Sequence, residues 1–144
     1  MPINSRNKGA AGEREVAKII QDLLGCECKR NLDQWRSGGF DLEGLEGWAV
    51  EVKRAKKATL PAWWKQTVEQ AQAADLKPVL WYRIDHKLWR VVIPLNLLRP
   101  GLEYSQDLLY TAELSPEGFA AFHRDKYMKN NWKKACTIAI NFLI

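Results

Sequence analysis

Residues 48–54 read WAVEVKR, so Val50 and Val52 fall on one side of an extended chain and Glu51 and Lys53 on the other, because strand side chains alternate with a period of two. The segment therefore reads as a strand with one apolar and one charged face. Just upstream, GLEG around Gly44 and Gly47 reads as the turn of a hairpin joining strands over 40–43 and 47–54. RSGG at 36–39 is a further turn. Asp41 belongs to the first strand of that hairpin and Glu51 to the second.

The remaining segments supply what this hairpin packs against. Val16, Ala17, Ile20, Leu23 and Leu24 recur at three and four, which predicts a helix over 10–24 that stops at Gly25. Glu15, Lys18 and Asp22 fall on its opposite face and are expected in solvent. Glu13 stands at the head of the apolar stripe. It serves either as a first-turn carboxylate favouring the helix dipole or as an inward-facing group that needs a partner, a proton or a metal. Residues 26–34 alternate enough for a strand. A second helix is expected over about 60–75, with Pro61 in its first turn and Pro78 beyond its end. Strands follow over 78–85 and 88–95, joined by a tight turn at Asp85–His86–Lys87. Ser115 caps a third helix, with Pro116 and Glu117 in its first turn. The apolar end, TIAINFLI, suits either a strand or a helix. The order α-β-β-β-α-β-β-α predicts an α/β or α+β domain, a mixed sheet with helices on its faces. At 144 residues the chain is expected to be a single domain, 1–144.

Composition narrows the function classes. There are 22 basic and 17 acidic residues, a formal net charge of +5, which suits a polyanionic partner without identifying one. Seven Trp serve cores, interfaces or base stacking, and the number alone does not choose among them. The three Cys (Cys26, Cys28 and Cys136) form no disulfide framework and no four-ligand zinc set. They read as small reduced core residues. The polar start lacks a signal-peptide core and no run of about 18 apolar residues exists. The expectation is a soluble cytoplasmic protein with no membrane partner. No Gly-rich phosphate loop is present, so no nucleotide cofactor is expected. His86 and His123 lie far apart and read as structural.

The segment that carries chemistry is Asp41-x9-Glu51-x-Lys53. Carboxylates on neighbouring strands of a hairpin repel one another and favour a divalent cation between them. Hard oxygen ligands with open positions suit Mg2+ or Mn2+. Lys53, two residues on from Glu51, projects to the same side and can orient a water and stabilise charge developing on a phosphate. Such a set is equipped to hydrolyse a phosphodiester.

The arrangement around it resembles the PD-(D/E)XK nuclease superfamily, and within it the Holliday junction resolvases of archaeal and bacteriophage type. The resemblance rests on Lys8, Gly9 and Glu13 in NKGAAGERE, and on Arg30, Ser37 and Asp41 in KRNLDQWRSGGFD. It continues with Glu51-Val52-Lys53, a following helix bearing Gln, then KPVLWYR and LWRVV. It covers about residues 6–95, two-thirds of the chain. Gly-Phe precedes Asp41 where the superfamily name has Pro. Residues 100–144 are unmatched and read as an elaboration, a dimer contact or a DNA clamp.

The resemblance implies a restriction-endonuclease-like core. It implies Asp41 and Glu51 as metal ligands, the Val52 carbonyl as a further one and Glu13 completing the acidic cluster. Lys53 would activate water, and Ser37 and Gln66 would join the catalytic set, with Gln70 one turn from Gln66 able to take its role. Glu43 and Glu46 are competing carboxylates, Glu46 expected in solvent. The implied function is metal-dependent cleavage of four-way or otherwise branched DNA by a two-fold dimer. The alternatives are a related endonuclease on linear, flap or mismatched DNA, and a DNA-binding module without activity. Arg6, Lys8, Lys29, Arg30, Arg36, Arg54, Lys56 and Lys57 bracket the site and are expected to neutralise phosphates without reading bases. KYMKNNWKK at 126–134 is a second basic and aromatic run. The apolar end from Ile138 to Ile144 is a candidate dimer surface.

Overall fold

The computed structural model describes residues 5–34 and 39–125. Helix α1 (Ser5–Leu24) leads into β1 (Lys29–Arg30), β2 (Leu42–Glu43) and β3 (Trp48–Ala55). Helix α2 (Leu60–Ala74), β4 (Lys77–Ile84) and β5 (Arg90–Pro94) follow. Two single-turn 3-10 segments (Leu95–Leu97 and Leu108–Tyr110) precede β6 (Thr111–Leu114). A last helix, α3, runs over 116–125. The six strands form one sheet in chain order. Only β3 and β4 are parallel, with Glu51 beside Leu80 and Lys53 beside Tyr82. The other pairings are antiparallel. A parallel pair cannot be joined by a tight turn and needs a crossover, which α2 provides. The mixed α/β sheet with flanking helices is the architecture the segment order predicts.

The two faces of β3 pack against different elements. Val50 and Val52 join Val16 and Ile20 of α1, together with Trp81, Val91 and Phe119, in the larger core. Ala49, one position out of phase, packs with Ala71 of α2 and Phe40. Trp64 and Val68 of α2 cover Leu80, Tyr82 and Val92 on the same side. Covering both faces is what buries the middle of β3. Four of the seven Trp (Trp48, Trp64, Trp81 and Trp89) are buried in these cores, so most of the tryptophan serves packing. Cys28 is buried and Cys26 half-buried, both as free thiols, and burial pushes the Cys28 thiol up to about 12. No helix among the described residues is long and apolar enough to cross a membrane.

Several boundaries differ from expectation, each for a local reason. α1 begins at Ser5, not at 10, and Lys8 in its first turns is tied to Asp85 at 2.7 Å. β1 keeps only two residues of the expected 26–34. Gly44 lies against the Glu27 carbonyl so closely that a Cβ there would stand 2.1 Å from it, which leaves no room for a ladder at 27. β6 was not expected. It pairs with β5 from Val91↔Leu114 to Pro94↔Thr111. The cap on α3 is as predicted, with Ser115 Oγ accepting the Gly118 N–H at 3.0 Å. α3 also inserts Phe119, fully buried, edge-on to Trp48 and Trp81 at 5.3 and 5.8 Å. Residues 111–125, read from sequence as part of an elaboration, therefore supply a strand of the sheet and an anchor of its main core. The basic run 126–134, Cys136 and the apolar end from Ile138 to Ile144 lie outside the described residues.

Two substitutions test this packing by urea denaturation. Phe119→Ala should lower stability by about 3–5 kcal/mol, as for other fully buried Phe. Gly44→Ala, which meets both φ +102° and the Glu27 carbonyl, should lower it by about 2 kcal/mol or more. A Phe119→Ala loss under about 1 kcal/mol would show that α3 does not belong to the core.

Candidate active site

Asp41 sits one residue before the short strand β2. Its N–H donates to the Val50 carbonyl and its carbonyl accepts from the Asn31 N–H, both at 2.8 Å. Its side chain then takes the place of the next ladder partner, with Oδ2 accepting the Val52 N–H at 2.7 Å. Oδ1 accepts from Gln34 Nε2 at 3.2 Å. Asn31, itself buried, donates its side-chain amide to the Phe40 carbonyl at 3.0 Å. The carboxylate is thus held on β3 by the chain segments on both sides of it.

Glu51 lies on the α2 side of β3 and is 2% exposed. Its Oε1 accepts from Lys53 Nζ at 3.2 Å, the pairing that the two-residue spacing on one strand face predicts. Its Oε2 is buried with no hydrogen-bond partner. Glu13 reaches this region from α1 with its side chain 14% exposed and paired with Arg30 Nε. It is therefore not a solvated first-turn carboxylate. Among the described residues no three His, Cys, Asp or Glu side chains are arranged to hold a metal ion. Glu13, expected to complete the acidic cluster, is held by Arg30, and its charge acts on both Asp41 and Glu51. Val52 donates its amide N–H to Asp41, a bond separate from the carbonyl role expected of it.

An open cleft of about 630 Å³ is lined by Arg30, Asn31, Leu32, Gln34, Gly39 and Gln70, of which Asn31 and Gln34 bond to Asp41. Gln70 lines it and Gln66, one turn earlier and half-buried, does not. Arg36 and Ser37 lie outside the described residues. The basic residues expected to meet phosphate differ in exposure. Lys56 and Lys57 are exposed in the bend after β3, and Arg6 is exposed near the start of α1. Lys8, Lys29, Arg30 and Arg54 are paired with Asp85, Glu43, Glu13 and Glu15.

Glu15 corrects the sequence reading. Its side chain is 37% exposed but is not simply solvated: it accepts from Arg54, Arg83 and the Trp89 indole at 3.0–3.1 Å. Glu46 is exposed as expected. His123 lies 6.2 Å from the Phe119 ring. Asn31 and Gln34 were not foreseen, because they reach Asp41 only once the segment after β1 folds back over it.

The comparisons with known proteins were made against this geometry. The family described as "Phage putative PDDEXK endonuclease" matches residues 4–113. The chain belongs to this family. Protein D14 of Escherichia phage T5 is 27% identical over 119 residues, covering 65% of this chain and 72% of that protein. Among solved structures, the Holliday junction resolvase Hjc of Archaeoglobus fulgidus aligns with a TM-score of 0.46 and 19% identity, over 75% of this chain and 84% of its own.

In this PDDEXK endonuclease the buried pair is electrostatically strained. Burial pushes the Asp41 carboxyl up from 3.8 to about 6. The Glu13 charge adds to this, and the Val52 amide, Lys53 and Gln34 oppose it. Burial, then the charge of Asp41, pushes Glu51 up from 4.5 to about 8 against the pull of Lys53. One ammonium does not neutralise these acids. The donor set fits a divalent cation. It offers two hard carboxylates, one with a buried oxygen that has no partner, and Mg2+ is usually held by one or two carboxylates with water and substrate phosphate completing its shell.

The same strain predicts a pH dependence. A carboxyl raised in the folded state stabilises the fold below its unfolded value and loses that contribution as pH rises through its folded value. In chelator the melting temperature should therefore fall between about pH 4 and pH 8, the span of the two shifts, by several degrees at about 2–4 °C per kcal/mol. Asp41→Asn combined with Glu51→Gln should flatten this slope, and added Mg2+ at pH 8 should raise the melting temperature of the parent alone. An equally steep slope in the double variant would show that the pair is not its source.

Proposed function

We propose that the protein is a Mg2+-dependent, structure-specific DNA endonuclease that hydrolyses phosphodiester bonds in four-way junctions or similarly branched DNA. The observation that carries the reading is the buried Asp41–Glu51 pair on one strand hairpin, with Lys53 Nζ 3.2 Å from Glu51 and a partnerless carboxylate oxygen beside it. Asp41 and Glu51 would hold the Mg2+, for which Mn2+ could substitute, and the bound ion would polarise the phosphate and acidify a water.

The chain's own groups do the rest. Lys53 orients the attacking water and offsets negative charge that develops on the phosphate oxygens. The Val52 amide keeps Asp41 in place, so that the pair does not rearrange when substrate enters. Glu13, with Arg30, borders the site and becomes available to it if Arg30 turns to a phosphate. Ser37 and Gln66 remain candidates for substrate contact, and Gln70, which lines the cleft, shares the role given to Gln66.

The junction preference rests on the sequence resemblance to resolvases and on a basic surface of Lys and Arg suited to phosphates and not to base edges. A symmetric four-way substrate favours a two-fold dimer, and the cytoplasm of the host cell is where such DNA would be met.

A synthetic four-way junction and a duplex of the same sequence test this reading. With Mg2+ the junction should be nicked in symmetric pairs and the duplex far more slowly, and chelator should stop both. Asp41→Asn and Lys53→Ala should each lower the rate by about a hundredfold or more. Cleavage that survives both variants would refute the site. Equal cutting of junction and duplex would refute the preference alone.

A further inference from the structure

On the opposite side of β3 from Lys53, a second pocket of about 240 Å³ is lined by Asn7 and Lys8 of α1, Arg54 of β3, and Arg83, Asp85 and His86 at the end of β4. Its chemistry is that of an anion site with carboxylates already in it. Arg54 and Arg83 lean on one carboxylate, Glu15, at 3.0 and 3.1 Å, and that carboxylate also accepts the Trp89 indole N–H at 3.1 Å. Each guanidinium carries five N–H donors, far more than Glu15 accepts. The Arg54 Nε is buried with no partner at all. Lys8 is held by Asp85 at 2.7 Å. Three permanent cations thus face two carboxylates, and one positive charge remains over.

The frame is rigid. Arg83 Nε donates to the Lys87 carbonyl at 2.9 Å. The turn is closed by Lys87 N–H to Ile84 O at 2.9 Å and anchored by Asp85 N–H to Ala55 O at 3.0 Å, with His86 in the left-handed region at φ 65°. A pre-set pair of planar guanidinium forks beside an ammonium matches the oxygens of a phosphate. Lys53 of the catalytic set and Arg54 of this pocket are adjacent residues whose side chains leave β3 on opposite sides.

We propose that this pocket is a phosphate subsite in which Lys8, Arg54 and Arg83 grip a backbone phosphate of the nucleic acid away from the bond to be cut, and Asp85 is the resident carboxylate that the phosphate displaces from Lys8. The inference rests on the endonuclease reading for the source of the phosphate and not for the pocket itself. Asp85 then acts as a built-in competitor: it keeps Lys8 in place when no nucleic acid is bound and weakens the grip on any ligand with too little charge to displace it.

The test measures binding, not cleavage. Fluorescence anisotropy with a labelled four-way junction in chelator, over a series of salt concentrations, reads both affinity and the slope of log affinity against log salt. Arg83→Gln should weaken binding and lower the slope by about one, the loss of one phosphate contact. Should Arg83→Gln fail to fold through loss of its Glu15 pair, Lys8→Gln, which gives up the partly exposed Asp85 pair, should lower the slope by about one instead. Asp85→Asn should tighten binding by about three- to tenfold by freeing Lys8, about 0.7–1.4 kcal/mol. Asp22→Asn, the same charge change at an exposed position paired only with Lys18, should not.

Equal effects of Asp85→Asn and Asp22→Asn, or an unchanged slope in a folded Arg83→Gln, would overturn the subsite. Stabilisation of the parent protein by millimolar inorganic phosphate without any slope change in Arg83→Gln would assign the pocket to a free anion and overturn it as a nucleic-acid contact. Shifted binding in a protein that cuts nothing in Mg2+ would sink the endonuclease reading and leave the pocket standing.

Discussion

The N–H of Val52 donates to the carboxylate of Asp41 at 2.7 Å, and the geometry of the site follows from that bond. β2 is only two residues long, and Asp41 just before it is bonded through its backbone to Val50 and Asn31. The side chain adds the bond to Val52, and so ties the approach to β2 more firmly to the strand that carries Glu51 and Lys53. Asn31 and Gln34 close the arrangement from the other side, one on the backbone around Asp41 and one on its carboxylate. Without the Val52 bond the carboxyl of Asp41 would be free to turn to solvent, which its charge favours.

What keeps the carboxyl inside is the covering of both sheet faces. α1 and α3 close one side of β3 and α2 the other, so Glu51 in the middle of the strand is only 2% exposed. The cost of burying these acids is visible as carboxyl groups held well above their usual range. Such displacement gathers at functional sites. Here it arises where the fold buries two acids, the charge of one acting on the other. The chain belongs to the phage PDDEXK endonuclease family, and buried acids raised in this way are chemically suited to a divalent cation.

The basic residues follow a different logic. Four of those expected to meet phosphate are paired with carboxylates in the free protein. These pairs are partly exposed and individually weak, and a polyanion can replace the carboxylate partners without a large rearrangement. Arg30 and Glu13 stand at the catalytic edge in this way, and Lys8 and Asp85 at the second pocket. The formal surplus of +5 counts each of these pairs as neutral.

The hairpin of β2 and β3, α2 with Pro61 in its first turn, the cap of α3 and the joint face of Glu51 and Lys53 were all legible in the sequence, because each follows from periodicity or turn chemistry within a few residues. The shortness of β1, the sixth strand and the burial of Phe119 were not, since each depends on what lies opposite in space: the Glu27 carbonyl against Gly44, β5 beside 111–114, and two Trp around one Phe. In the site, the sequence by itself determined which groups are present and that Glu51 and Lys53 point the same way. Only the tertiary structure decided that Glu13 is held by Arg30, that Glu15 is turned into a cationic cluster and that Gln70 lines the cleft. Local order sets the direction a side chain leaves the backbone, but its partner and its access to water are set by chain segments far away in sequence, and those two things decide what a charged group can do.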